Sequence, residues 1–229
     1  MRSILYFFLF FPSAISVAQT FEVKVSEKLC DCFSTIDQSQ EGRAVLAKYQ
    51  EDCFVQTLKL FDAEINIMMD TISAGTTFGD TDYEKGHKFG LEMFNRIQLT
   101  MIEKCDPFFN FMDNFRNGVF RTANEEKELL NIKNKSKDIT EKQNPADYYS
   151  RAVSYFALRK FKRAKRDLDK AIELDRNSPA PYLLRGFLYE QTKRYENAIV
   201  DYEVSNKLMV RGDIDIYIAM ARRKAREGR

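Results

Sequence analysis

Sliding the chain over itself by 34 residues lays Pro145–Ser178 on Pro179–Gly212 with matching residue types. No other feature restricts the fold as much. Tyr148 falls on Tyr182, Ala152 on Gly186, Tyr155 on Tyr189, Phe161 on Tyr195, Ala164 on Ala198, Leu168 on Tyr202 and Ala171 on Ser205. A fixed period of this size means one supersecondary unit written twice, each copy too small to bury its apolar face alone and therefore stacked on its neighbour. Asn144-Pro145 and Ser178-Pro179 each offer a capping side chain followed by a proline, which suits a first helical turn because its missing N–H has no partner there anyway. The small residues at 152, 164, 186 and 198 let two helices approach closely while the aromatics fill the space beside them.

The strings YSRAVSYFALRKFKRAKRDLDKAIELD and YLLRGFLYEQTKRYENAIVDYEVSNKL resemble the tetratricopeptide repeat, a helix-turn-helix unit. Arg176 departs from the proline common in the family, and Ser205-Asn206 loosens the end of the second copy. The resemblance implies an all-α module made of repeats 145–178 and 179–212 with a capping helix over 213–229, where Ile214, Ile216, Tyr217, Met220 and Ala221 are apolar. It also implies a concave face formed by the first helix of each repeat, here Tyr149, Val153, Phe156, Leu183, Phe187 and Glu190, that holds another protein or peptide. That face is apolar, without the Lys and Asn set with which some members clamp a terminal carboxylate. Either it is an open groove, or the 123–132 helix or the acidic N-terminal domain covers it.

Upstream, helical periodicity dominates. Val25, Leu29, Cys32, Phe33 and Ile36 predict a short amphipathic helix over 24–36, and Phe54, Leu58, Phe61, Ile65, Met68 and Ile72 a long one over about 44–72. Two glycines within 74–80 break the pattern. Thr81-x-x-Glu84 has capping-box spacing ahead of a helix to Cys105 with Leu91, Phe94, Met101 and Cys105 on one stripe. Asp106-Pro107 starts another helix with Phe108, Phe111, Met112 and Phe115 on one face, read as core. Thr122-x-x-Glu125 opens a helix to Ile132, and polar residues 133–144 are read as an interdomain linker. The first domain is thus a helical bundle over 19–132.

A short positive start at Arg2, an apolar run from Ile4 to Phe11 and small residues at 16–18 predict a signal peptide over 1–18, cleaved near Ala18. The run is far below the ~20 residues needed to span a bilayer, so no stable membrane insertion is expected after cleavage. The mature chain is then secreted or periplasmic, where disulfides persist.

That compartment bears on KLCDCF at 28–33. On a helix, residues i and i+2 diverge by about 200°, so Cys30 and Cys32 need separate partners. Cys53 and Cys105 lie on two other helices, and two disulfides use all four. Cys53 stands roughly 13 Å along the second helix, nearer the level of Cys30, which favours Cys30–Cys53 and Cys32–Cys105. Each link is worth about 3 to 4 kcal/mol on the loop-entropy model. The alternative is a periplasmic metal- or thiol-binding protein using the C-x-C pair, an arrangement that requires an extended segment with both sulfurs on one side.

Charge is uneven. From Pro145 onward 19 Lys+Arg face 12 Asp+Glu, a balance of +7; over 19–144 the count is 16 against 22, or −6. The excess is too mild for a nucleic-acid stripe and points to attraction between the halves. His87 is the sole histidine, no phosphate-binding glycine loop occurs, and no nucleophile–base pair stands out, so neither catalysis nor a cofactor is expected. Arg211-Gly212-Asp213 is read as a turn and Asn134-Lys135-Ser136 as a glycosylation pattern in the linker. The chain as a whole is expected to be an exported, non-catalytic scaffold.

Overall fold

The computed structural model describes residues 14–39, 42–74, 82–118, 124–209 and 212–228, and every regular element among them is helical. Two compact units divide at Met101/Ile102. That division falls within a helix, upstream of residues 133–144, which the sequence reads as the linker.

In the first unit, α1 (Ala14–Ser34) buries Phe21, Val25, Leu29 and Phe33, one face in steps of four. It starts well before Lys24 because Phe21 carries the buried stripe back another turn. Residues 1–13 of the expected leader lie outside the described residues, and 14–18 belong to α1. The single helix expected over 44–72 is instead α2 (Gly42–Lys48), a π-helical stretch (Tyr49–Phe54), α3 (Val55–Leu60) and α4 (Asp62–Ala74). The wider π turn carries Tyr49 and Cys53, both buried, and burial pushes the Tyr49 hydroxyl well above its ordinary pKa. At Phe61 the amide turns back to the Leu58 carbonyl at 3.0 Å and ends α3. Edge-to-face rings bind these segments: Phe21 with Phe61 at 5.6 Å, Phe33 with Tyr49 at 5.5 Å and Phe54 with Phe94 at 5.1 Å.

The glycine break and Thr81 lie outside the described residues. In α5 (Asp82–Lys104) Met101 is buried as expected. The remaining buried row, Ile97 and Ile102, runs round the helix from Leu91 and Phe94, which stay largely exposed.

The second unit begins with the last turn of α5 and α6 (Asp106–Gly118), which buries Phe108 and Phe111 of the predicted stripe together with Phe109, while Met112 and Phe115 are half-buried. Then α7 (Glu125–Glu141) runs straight through most of the expected linker. Its cap is Asn124, whose side chain accepts from the Lys127 amide at 3.0 Å, rather than Thr122, which lies outside the described residues. The polarity of 133–141 marks a polar helix interface. On the same face, Asn131 donates to Ser154 Oγ at 2.8 Å, Lys135 pairs with Asp147 at 2.8 Å, and Ser136 Oγ accepts from Arg151 at 3.1 Å. The Asn134-Lys135-Ser136 pattern thus lies on a helix.

The repeats follow as α8 (Pro145–Ala157), α9 (Phe161–Leu174), α10 (Pro179–Gln191) and α11 (Tyr195–Leu208), with α12 (Gly212–Glu227) after them. Asn144 caps α8 by accepting from the Ala146 amide at 3.0 Å. Ser178 makes no such bond, so Pro179 alone shapes the start of α10. Arg211 lies outside the described residues, and Gly212-Asp213 open α12. One core holds Ala152, Ala164, Leu168, Leu184, Leu188, Ala198, Tyr202, Ile214 and Ala221. Gly186 is required in it, since a Cβ there would lie 2.5 Å from the Tyr202 ring. The first repeat solves the same crossing with Ala152 and the smaller Leu168.

Candidate functional site

The six residues expected to face a partner do not share one fate. Val153 is 37% exposed, and Tyr149, Leu183 and Phe187 are half-buried against the core. Phe156 is 3% exposed, its ring 5.5 Å from that of Phe161, so it belongs to the core. Glu190 is buried too, its side chain 1% exposed. Neither of these two can contact a partner in this conformation. Sequence position along the first helices places all six near the face, but helical twist turns Phe156 and Glu190 inward.

Glu190 is the hub of a charged cluster that closes the far end of the face. Its carboxylate accepts from Arg116 of α6, from Lys224 of α12 at 2.8 Å and from the Tyr202 hydroxyl at 2.7 Å. Burial alone would favour a neutral Arg116; the adjacent Glu190 charge outweighs it and holds the guanidinium protonated more firmly than usual. The Tyr202 hydroxyl is pushed far up by burial and by Glu190. Arg116 also lies over the Phe187 ring at 5.5 Å and the Tyr217 ring at 5.3 Å. Further polar links fasten the segment from Ile102 to Asn117: Arg223 donates to Asp106 and to the Ile102 carbonyl, Lys224 to Asp113, Arg226 to Glu103, and Gln191 to Asn117. These contacts are why α6 belongs with the repeats. Phe187 and Glu190 are engaged by a helix of the same chain, while Tyr149, Val153 and Leu183 remain. Of the two states left open by the sequence, the face is thus closed at one end, and by α6.

A second arrangement was missed by the sequence reading, although its signal was present at the repeat offset. Arg151 grips Asp167 through Nε and Nη2, both at 2.7 Å, and Arg185 grips Asp201 at 2.7 and 2.8 Å. Both members of each pair recur 34 residues apart. Each arginine is backed by two rings, Tyr148 and Tyr155 for Arg151, Tyr182 and Tyr189 for Arg185. Hydrogen bonding to Asp201, then to Asp169, raises the Arg185 pKa further. The forks tie the first helix of each repeat to its second with a planar, two-point geometry that lysine cannot reproduce.

No cysteine is free, and Cys32 is joined to Cys53 with a Cα–Cα distance of 5.6 Å. Cys30 and Cys105 are also disulfide-bonded. The expected pairing is thus corrected, because Cys53 meets the side of α1 that carries Cys32; a plain α-helix would place it nearer Cys30, and the π stretch changes both rise and direction. Bonded sulfurs offer no thiolate to a metal, so the metal or thiol reading is not favoured. Among the described residues no group of three His, Cys, Asp or Glu has metal-binding geometry. His87 is exposed on α5, and no described helix is long and apolar enough to cross a membrane.

Residues 145–178 match the family model of the tetratricopeptide repeat, and residues 180–205 match a second model of the same description. No curated protein and no solved structure matches the chain. The C-terminal part is therefore a pair of tetratricopeptide repeats, and such repeats support a protein-interaction scaffold.

Proposed function

We propose that this is an exported, non-catalytic scaffold that holds a partner protein on the face of α8 and α10. The observation that carries this reading is the state of that face. Its far end receives α6, a helix of the same chain, with an arginine over Phe187 and Tyr217, and its near end presents Tyr149, Val153 and Leu183. A surface built to receive one helix suits apolar capture of another. Export is supported by the positive and apolar start of the sequence and by cysteines that are all disulfide-bonded, a state compatible with oxidising surroundings. A non-catalytic role is supported by charged groups engaged in structural forks and latches.

Val153→Asp tests the reading, because Val153 is exposed and its loss leaves the core intact. After crosslinking in the cell that makes the protein, the variant should lose the species recovered with the parent chain. Val200→Asp, at a more exposed position on α11 (58% against 37%), should keep it. Retention of that species by Val153→Asp, with unchanged helicity, contradicts the proposal.

A further inference from the structure

Many cations of the second unit pair with carboxylates, and those without such a partner among the described residues are densest at one place. Six of the eight residues 159–166 are Lys or Arg. Within this group Lys165 is paired with Asp169, but Arg159, Lys160, Lys162 and Arg163 have no carboxylate partner among the described residues, nor do Lys193 and Arg194. All six are exposed. They lie at the α8–α9 and α10–α11 turns, which the repeat places at the same end of successive hairpins. Arg159 and Lys193 occupy equivalent left-handed positions there, with φ of 55° and 58°. The acidic side chain nearest in sequence, Glu196, is outnumbered.

Three of the arginines are held in a particular way. Arg159 lies 5.4 Å from the Phe161 ring, Arg163 5.8 Å from Tyr155 and Arg194 4.7 Å from Tyr189, where its Nε also meets Asn197 Oδ1 at 3.3 Å. Tyr155 and Tyr189 are the same rings that back Arg151 and Arg185, whose forks are filled by Asp167 and Asp201. The edge thus repeats, on the surface, a ring-backed arginine that already grips carboxylates inside the module, and leaves the carboxylate out.

We propose that this edge binds an acidic, Asp/Glu-rich segment of a partner protein, separately from the apolar face. Ring-backed guanidinium groups are oriented before binding and present planar forks that match carboxylates. A phospholipid surface fits less well, since among the described residues the exposed large apolar side chains of the unit lie elsewhere, at Leu129, Leu130, Val153, Leu174, Val200, Leu208 and Met209, and none is at these turns to anchor in a membrane. Single-stranded nucleic acid fits less well again, because the rings lie beneath arginines instead of standing free to stack bases.

The test uses the full chain and a labelled decaglutamate peptide, followed by fluorescence anisotropy at low and high salt. Binding should weaken with salt, and Arg159→Glu/Arg163→Glu/Arg194→Glu should weaken it about tenfold or more. Lys127→Glu/Lys133→Glu/Lys142→Glu, the same charge change on exposed residues of α7 and its end, should leave it within about twofold. Circular dichroism establishes that each variant is folded, and Arg159→Gln/Arg163→Gln/Arg194→Gln replaces the reversal if it is not. No binding of decaglutamate, or equal losses in the two sets, overturns the proposal. So does binding of anionic vesicles or single-stranded DNA that is lost in the edge variant while the peptide is ignored.

Discussion

The unit before Met101 and the unit after it are both helical, yet they are held by different means. The first relies on the Cys32–Cys53 link and on aromatic edges, with Phe21, Phe33, Tyr49, Phe54, Phe61 and Phe94 meeting in pairs. The second relies on repetition: one helical hairpin used twice, an arginine fork at the same place in each, and a charged hub where α6 and α12 meet α10. A hairpin that stacks on its copy is stabilised by its neighbour, whereas helices of unlike length and direction benefit from a covalent tie.

The comparison predicts where damage should be felt. Glu190→Ala should cost most, about 3 to 5 kcal/mol, because it leaves Arg116 and Lys224 buried without their shared acceptor. Hydrogen exchange should then rise over α10–α12 while α1–α3 stay protected. Cys32→Ala/Cys53→Ala should reverse that pattern and cost about 3 kcal/mol, given a sequence separation of 21 residues. If either variant loosened both units alike, the contrast would fail. Gly186→Ala should cost about 1 to 3 kcal/mol by overpacking against Tyr202. Adding Tyr202→Leu imports the Ala152/Leu168 solution of the first repeat, so urea melts should show a double variant less destabilised than the two single costs together. Smallest is Lys170→Ala: its solvent-screened pair with Glu173 at 2.8 Å should leave the urea midpoint unchanged within error.

Much of the second unit was legible because repetition exposes what single residues hide. Helix starts at Pro145 and Pro179, the small residues at 152, 164, 186 and 198, and the breaks between them all follow from one alignment of the chain with itself. The Arg151–Asp167 and Arg185–Asp201 forks were equally available at that offset, but a search for apolar agreement passes over charged pairs. The latch on Glu190 was beyond reach, since Arg116 lies 74 residues away and no period connects them. Polar residues 133–141 read as a linker because a helix that packs through side-chain hydrogen bonds, with none of its residues buried, has a linker's composition. In the first unit the divergence of Cys30 and Cys32 gave the disulfide chemistry, but the π stretch at Tyr49–Phe54 defeated the pairing, because a bulge leaves no trace in hydrophobic spacing.

The central claim is that the near end of the α8–α10 face meets another protein. A photo-crosslinking residue at Val153, activated in the cell that makes the protein, tests this most directly, with Val200 on α11 as the comparison. The account predicts a discrete protein adduct from position 153 and none of the same mass from position 200. An absence of adduct at 153, or the same adduct from both positions, would contradict it.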